Sequence, residues 1–241
     1  MQLNNKNIVI TGGTSGIGHE LVKRLSANNV VLVIGRDQRK LNALADAMPN
    51  VCTVTADLSK RDDVRWAAEA VESSFESIDL LINNAAVQFT PRLADRDFDI
   101  DSIRFEISVN LTAVCELTAL LLPKILAAAP STILNVNSGL ALAPKTESAV
   151  YCATKSALDS FTRSLRYQVD DAGVTVLQGF LPLVDTPMTE GRGSKKVSSQ
   201  AAADKLIEGI TQGVLDNDIG KAKLLRLLMR VSPRMARRVM R

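Results

Sequence analysis

NIVITGGTSGIG, residues 7 to 18, runs a short apolar segment straight into a glycine-rich turn. NIVIT is rich in Val, Ile and Thr, as a strand buried on both faces requires. In the turn, Gly12 permits a tight bend, Gly16 lets backbone N–H groups approach a pyrophosphate, and Gly18 lets the following helix pack close to the sheet. The first two of these glycines stand two residues further apart than in G-x-G-x-x-G. A loop that merely needs positive φ reads the same way.

The alternation continues outward from this stretch. VVLVIG (30 to 35), VCTVT (51 to 55), DLLIN (79 to 83), TILNVN (132 to 137) and VTVLQGF (174 to 180) are strand-like. Segments 16 to 28, 37 to 47, 60 to 75, 101 to 128 and 148 to 172 are each long enough to cross over a sheet. The order predicts an α/β fold: a single-domain, doubly wound parallel sheet of Rossmann type, with right-handed crossovers and helices on both faces. A chain of 241 residues that is 46% hydrophobic can bury one large core without dividing. Ligands on such sheets bind beyond the carboxyl ends of the strands, near the switch in strand order.

Composition removes several chemistries. His19 is the only histidine, beside Glu20 on the first helical segment, so general acid/base work falls to another residue type and no metal site is expected. Cys52, Cys115 and Cys152 form no C-x-x-C pair, which suggests a reducing compartment. The N-terminal segment lacks a charged leader followed by a long apolar region, and Glu116 and Lys124 break the longest apolar runs. The expectation is a soluble, cytoplasmic protein.

The ends of the strands carry the chemistry. VLVIGRD leaves Gly35 where a domain selective for NAD places an acidic residue, and Arg36 follows as a cation able to meet a 2′-phosphate. This favours NADP(H), with NAD(H) possible; an exposed strand-end arginine, blunted by Asp37, is the alternative. In ADL, Asp57 either caps a helix or, with Ser59 as the cap, is free to accept from an adenine amino group, beside Leu58. NNAA (83 to 86) can tie neighbouring loops through Asn84, while Ala85 and Ala86 leave room for a flat ring. An ordinary turn fits as well.

The fifth strand delivers Ser138. If a helix starts near Ser148, Tyr151 and Lys155 of YCATK share one face at i and i+4, close to that strand's end. A surface tyrosine near a lysine is the bland alternative; the serine and the glycine-rich turn speak against it. A phenol acting near neutral pH needs about 3 to 4 kcal/mol in favour of phenolate. A neighbouring ammonium and an oxidised nicotinamide can supply it, while Ser138 bonds the substrate oxygen.

TGGTSGIG, NNAA, Asn110, Ser138 and YCATK, in this order and spacing, resemble the short-chain dehydrogenase/reductase family in its compact form, over about residues 5 to 215. SGLA (138 to 141), YCATK and its continuation, VDT and GKAKLL resemble the bacterial DltE-like oxidoreductases within it. The resemblance implies about seven strands, a nicotinamide dinucleotide, and interconversion of a carbonyl and an alcohol. It makes Tyr151 the general acid in reduction and the base in oxidation. Lys155 lowers the tyrosine pKa and bonds the nicotinamide ribose, Ser138 positions the carbonyl, and Asn110 interrupts a long helix and holds a water linking Lys155 to solvent. Thr14, Ser15 and Ile17 then fall near the phosphates, Asn84 lines the cofactor, and Val184 and Thr186 meet the carboxamide. Ala86 for Gly, and Leu181-Pro182 for Pro-Gly, depart from the family pattern. Residues 187 to 199 resemble a mobile lid.

Residues 1 to 218 form the expected catalytic domain and 219 to 241 a basic helical extension. From Lys221 onward there are eight basic and no acidic residues, although the whole chain is only +3. Leu224, Leu228 and Val231 fall at i, i+4 and i+7. The preferred reading packs this helix on its own domain or a partner subunit with solvated arginines; an anionic lipid surface is the alternative. Sparse aromatics argue against nucleic acid. The resemblance implies a homodimer or homotetramer. A non-catalytic NADP(H)-sensing protein could use the same sheet, but would not need Ser138, Tyr151 and Lys155 together.

Overall fold

The computed structural model describes residues 1–240. Its centre is a seven-stranded, wholly parallel sheet in the order β3-β2-β1-β4-β5-β6-β9. The strands are β1 Asn7–Thr11, β2 Val30–Gly35, β3 Val51–Thr55, β4 Leu80–Asn83, β5 Ser131–Ser138, β6 Val174–Leu181 and β9 Asp216–Asp218. Two further strands, β7 Val184–Asp185 and β8 Val197–Ser198, pair with each other outside this sheet. Helices α1 Gly16–Leu25, α2 Gln38–Ala47, α3 Arg61–Ser74, α6 Ala149–Val169 and α7 Ser199–Gln212 alternate with the strands, and α8 Lys221–Val231 and α9 Pro233–Val239 end the described chain.

Period-two side-chain direction divides the core. Ile8 and Ile10 of β1 face Leu21 and Val22 of α1 and Leu206 of α7, whereas Val9 between them faces Ala67 and Val71 of α3. Each such fully buried aliphatic side chain contributes about 1.5–3 kcal/mol. The strand-like runs of the sequence therefore lie where their apolar continuity predicts, covered on both faces except at the edge strand β3, where Cys52 and Thr55 are exposed. The Rossmann-type, doubly wound fold is present, and its order reverses between β1 and β4.

Residues 101 to 128, read as one helix, divide into α4 Asp101–Ile107, a π-helical turn Ser108–Thr112, and α5 Ala113–Ala127. This stretch is long and apolar enough by composition to cross a membrane, which the reading of broken apolar runs did not anticipate. In the fold its Leu117, Leu121 and Ile125 are core residues against the sheet.

Polar side chains fasten α5 and α6 to the strand ends. Asn83 donates to Thr118 of α5 at 3.2 Å and to Asn135 of β5 at 2.9 Å, and Asn135 donates to Thr162 of α6 at 2.9 Å. Buried amides need such partners, and these bonds fix the later turns of α6 against the middle of β5.

Candidate active site

A cavity of about 800 Å³ opens at the carboxyl ends of β1 to β6. Its floor is the turn between β1 and α1. Gly12 has φ +69° and Gly16 φ +53°, the left-handed backbone that favours glycine. A Cβ on Gly18 would lie 2.1 Å from the Gly12 carbonyl oxygen, so α1 meets the turn at a distance only glycine allows. Gly13, which motif reasoning passed over, is equally constrained, with Val33 and Val22 methyls 2.7 and 2.8 Å from a would-be Cβ. Asn84 donates to the carbonyls of Thr11 and Gly12 at 3.0 and 3.1 Å, and Thr11 Oγ1 accepts from the N–H groups of Asn84 and Ala85 at 3.0 Å each. The loops on either side of the strand-order switch are thereby joined.

Thr14, Ser15, Gly16, Ile17, Gly35, Arg36, Asp57, Leu58, Asn84, Ala85, Val184 and Thr186 all line this cavity. Asp37 does not blunt Arg36. It accepts from the N–H groups of Arg39 and Lys40 at 3.1 and 3.2 Å and caps α2, as a short carboxylate before a helix does. Among the described residues Arg36 has no carboxylate within ion-pair distance.

Asp57 corrects its sequence reading. Ser59 does not cap α3; it donates its N–H and its hydroxyl to Asp57 Oδ1 at 3.0 and 2.8 Å, so that oxygen is already committed. Burial raises the Asp57 carboxyl pKa, but the Ser59 bonds and the charges of Lys60 and Arg36 outweigh it and hold the group below its ordinary value.

At the other end stand Ser138, Tyr151 and Lys155. Tyr151 and Lys155 are 8% and 3% exposed, and the lysine Nζ lies 5.7 Å from the tyrosine ring centroid. Ser138 hydrogen-bonds the Tyr151 phenol and also accepts from Leu140 N–H at 3.2 Å. Lys155 Nζ donates to the Val136 carbonyl at 2.9 Å. The three side chains therefore converge.

Their electrostatics differ from the expectation of a depressed phenol. Burial pushes the Tyr151 pKa up to about 12, the opposing Ser138 bond being weaker. Burial also pulls the Lys155 ammonium down to about 8. Both groups are shifted toward their neutral forms, because desolvation of each outweighs any help from the other.

Asn110 lies on the π-helical turn and is fully buried, behind the cavity wall. Its amide donates to the Val87 carbonyl and its carbonyl accepts from Val87 N–H, both at 2.8 Å, with a further bond to Thr154 Oγ1 at 3.3 Å. That side chain is occupied in fixing the loop after β4 to α6, at Thr154, one residue before Lys155.

The segment read as a lid is tied down. Arg192 bonds Gln88, Lys196 donates to the Thr189 carbonyl at 2.7 Å and to Asp185 at 3.3 Å, and β8 pairs with β7. Gln88, Lys145 and Arg192 line the cavity without having been singled out in sequence. Arg192 lies within the segment that resembles a lid, but no motif marks the arginine itself. Leu224, Leu225 and Leu228 of α8 also reach the cavity.

Arg226 corrects the reading of solvated arginines. It stacks over the Phe180 ring with its guanidinium carbon 4.3 Å from the centroid and donates to Asp218 at 2.5 Å.

Residues 6–197 match the family model for short chain dehydrogenases. The uncharacterized oxidoreductase DltE of Bacillus subtilis (strain 168) is 33% identical over 224 residues, covering 88% of this chain and 87% of that protein. A short chain dehydrogenase from Burkholderia cenocepacia J2315, solved in complex with NADP, superposes with a TM-score of 0.90 at 23% identity, covering 100% of this chain and 99% of that one. The 3-ketoacyl-(acyl-carrier-protein) reductase from Brucella melitensis, complexed with NADH, superposes with a TM-score of 0.82 at 26% identity, over 92% of this chain and 100% of that one. With its sheet order, its glycine turn and this match over most of its length, the chain belongs to the short-chain dehydrogenase family of oxidoreductases.

Proposed function

We propose that this protein is an NADP(H)-dependent oxidoreductase that interconverts a carbonyl and an alcohol, with Tyr151 as general acid and base. The observation that carries the reading is the convergence of Ser138, Tyr151 and Lys155 at one end of a cavity whose other end is a glycine cradle. That cradle fits a dinucleotide: Gly12 and Gly16 hold the turn in a left-handed backbone at the start of α1, and the unpaired Arg36 offers a cation for a 2′-phosphate. Gly12 to Gly18 would hold the phosphates, Asp57 and Leu58 the adenine end, and Lys155, Val184 and Thr186 the nicotinamide end. A bound nicotinamide dinucleotide supplies or accepts the hydride.

The chain's own residues manage the proton. With its pKa near 12, Tyr151 is protonated at neutral pH, the form a general acid for carbonyl reduction needs. Ser138, already bonded to that phenol, places a substrate oxygen beside the transferable proton. Lys155, held by Val136, presents its Nζ at the tyrosine ring, and a partly neutral amine can take up and release a proton beside it. Asn110 fixes the geometry through Val87 and Thr154. In the cytoplasm such an enzyme would meet NADPH as a reductant. Exposed Ile107, Leu120 and Leu126 on α4 and α5 offer a face for a homodimer or homotetramer.

Tyr151→Phe tests the assignment. Carbonyl reduction followed at the nicotinamide absorbance should fall by about a thousandfold or more in kcat, while NADPH binding by fluorescence titration stays within about threefold of wild type. Near-normal turnover in the phenylalanine variant would remove Tyr151 from this role.

A further inference from the structure

Helix α8 is amphipathic with its apolar stripe turned outward. Ala222 is buried, and Ala222 and Leu225 approach Gly139 in the turn after Ser138, so this side of the helix faces the domain. On the opposite side Leu224, Leu227 and Val231, at i, i+3 and i+7, are 58%, 57% and 76% exposed. Met235 of α9 is exposed as well, at 59%. A surface helix ordinarily buries such a stripe, so an outward one marks a surface that something covers.

Lys221, Lys223, Arg230, Arg234, Arg237 and Arg238 are all exposed around it. Among the described residues none of these six pairs with a carboxylate, and residues 221 to 240 contain no acidic residue. A second copy docking by two-fold symmetry would set these cations against their own counterparts, so the charge opposes self-association. An apolar stripe edged by unpaired cations suits the interface of an anionic bilayer.

The patch is continuous with the cavity. Leu224 and Leu228 line it, as does Leu183, which is 38% exposed at its rim. We propose that the outer face of α8 and α9 seats the protein on anionic phospholipid, and that its substrate is a membrane-partitioned amphiphile whose carbonyl enters the cavity from that side. The substrate half rests on the carbonyl-reductase reading above. The docking half does not.

The full-length protein would be sedimented with vesicles of phosphatidylcholine alone and with vesicles of equal phosphatidylcholine and phosphatidylglycerol. Wild type should bind the anionic vesicles about tenfold more strongly, with the difference shrinking in high salt. Leu227→Glu/Val231→Glu and Arg230→Gln/Arg234→Gln should each lose about tenfold in that binding. Their circular dichroism should match wild type, since all four side chains are exposed; if one pair misfolds, the other carries the test. Equal binding to both vesicles, no binding, or undiminished binding by both pairs would overturn docking. A wild-type oligomer that the variants split, without vesicle binding, would assign the patch to a second copy instead.

For the substrate half, a long-chain aldehyde in anionic vesicles and a short soluble aldehyde would be compared. Leu227→Glu/Val231→Glu should lose about tenfold in kcat/KM on the former and nothing on the latter. Equal loss on both, or on neither, would overturn delivery from the membrane. If neither wild type nor variant reduced any carbonyl, the proposed function would fail while the sedimentation result stood.

Discussion

Arg192 reaches over the cavity mouth to Gln88, donating to its side-chain carbonyl at 2.7 Å and its backbone carbonyl at 3.2 Å. Gln88 in turn donates to Ser148 Oγ at 3.1 Å, and Ser148 holds φ +59° immediately before α6. The segment after β7 is thus linked, through one glutamine, to the start of the helix that carries Tyr151 and Lys155.

Cutting that link should affect turnover more than folding. Arg192→Ala is expected to lower kcat/KM about tenfold, because closure and the placement of α6 both lose a fixed point. Its thermal midpoint should stay within about 2 °C of wild type, since the bonds lie at a part-exposed rim. Arg192→Lys, which keeps the charge but loses the fork, should recover little. Steady-state kinetics with a differential scan check both; wild-type kcat/KM in the alanine variant would show the link to be idle.

Gly18 is the position where a single methyl does most damage. With a Cβ 2.1 Å from the Gly12 carbonyl oxygen, which is backbone and cannot rotate aside, Gly18→Ala should cost about 3 kcal/mol. It should also abolish detectable cofactor binding. Gly213→Ala is a control, because nothing lies within 4 Å of its Cβ and only φ +66° opposes it; about 1 kcal/mol is expected there. Urea midpoints for the pair give the comparison, and equal losses would contradict the packing explanation.

Arg36 and Asp37 should separate cleanly. Arg36→Ala is expected to weaken NADPH binding by about tenfold or more, the worth of a charge-assisted bond, and to leave NADH binding unchanged. Asp37→Ala should cost about 1 kcal/mol of stability through its lost helix cap and leave the preference between the cofactors alone. Fluorescence titrations with both cofactors test this; a preference unmoved by Arg36→Ala would assign selectivity elsewhere.

Much of this site was legible because its chemistry sits on spacing. The glycine turn, Asn84, Ser138 and the i, i+4 pair of Tyr151 and Lys155 are each next to a strand or within one helical turn, so local sequence places them. The proton affinities were not legible. Whether an ammonium depresses a neighbouring phenol depends on how dry both are, and burial belongs to the assembled core. Asp57 was misread for a related reason: a serine two residues on can cap a helix or fold back, and the sequence does not choose. Strand β9 is the three residues Asp216–Asp218, without a β-branched side chain, and becomes a strand only by pairing with β6. On α8 the sequence pointed to Leu224, Leu228 and Val231, whereas the exposed apolar side chains are Leu224, Leu227 and Val231, because periodicity gives no outward or inward sense.

Lys155 makes stability depend on pH. Its ammonium is held to about 8 in the fold against 10.5 for a free lysine, so between those values the unfolded chain keeps a proton the native state has shed. Stability from this group therefore rises with pH across that window. Tyr151, raised to about 12 from 10.0, acts oppositely, and only above pH 10. Lys155→Met should be more stable than wild type by about 2 kcal/mol at pH 7, the buried charge being gone though Val136 loses its donor, with the gap nearly closed by pH 10. Urea unfolding at both pH values decides it, and a gap constant with pH would show that the ammonium is not desolvated.

The bonds that fuse Thr11, Gly12, Asn84 and Ala85 into one piece all come from the first half of the chain, as do the walls at Arg36 and Asp57. Arg192, Leu224, Leu225 and Leu228 of the outer lining come after Leu181. The glycine cradle and the outermost lining are consequently written in separate stretches of the polypeptide. Drift in the later stretch can reshape the opening while the earlier one keeps the cradle as it is.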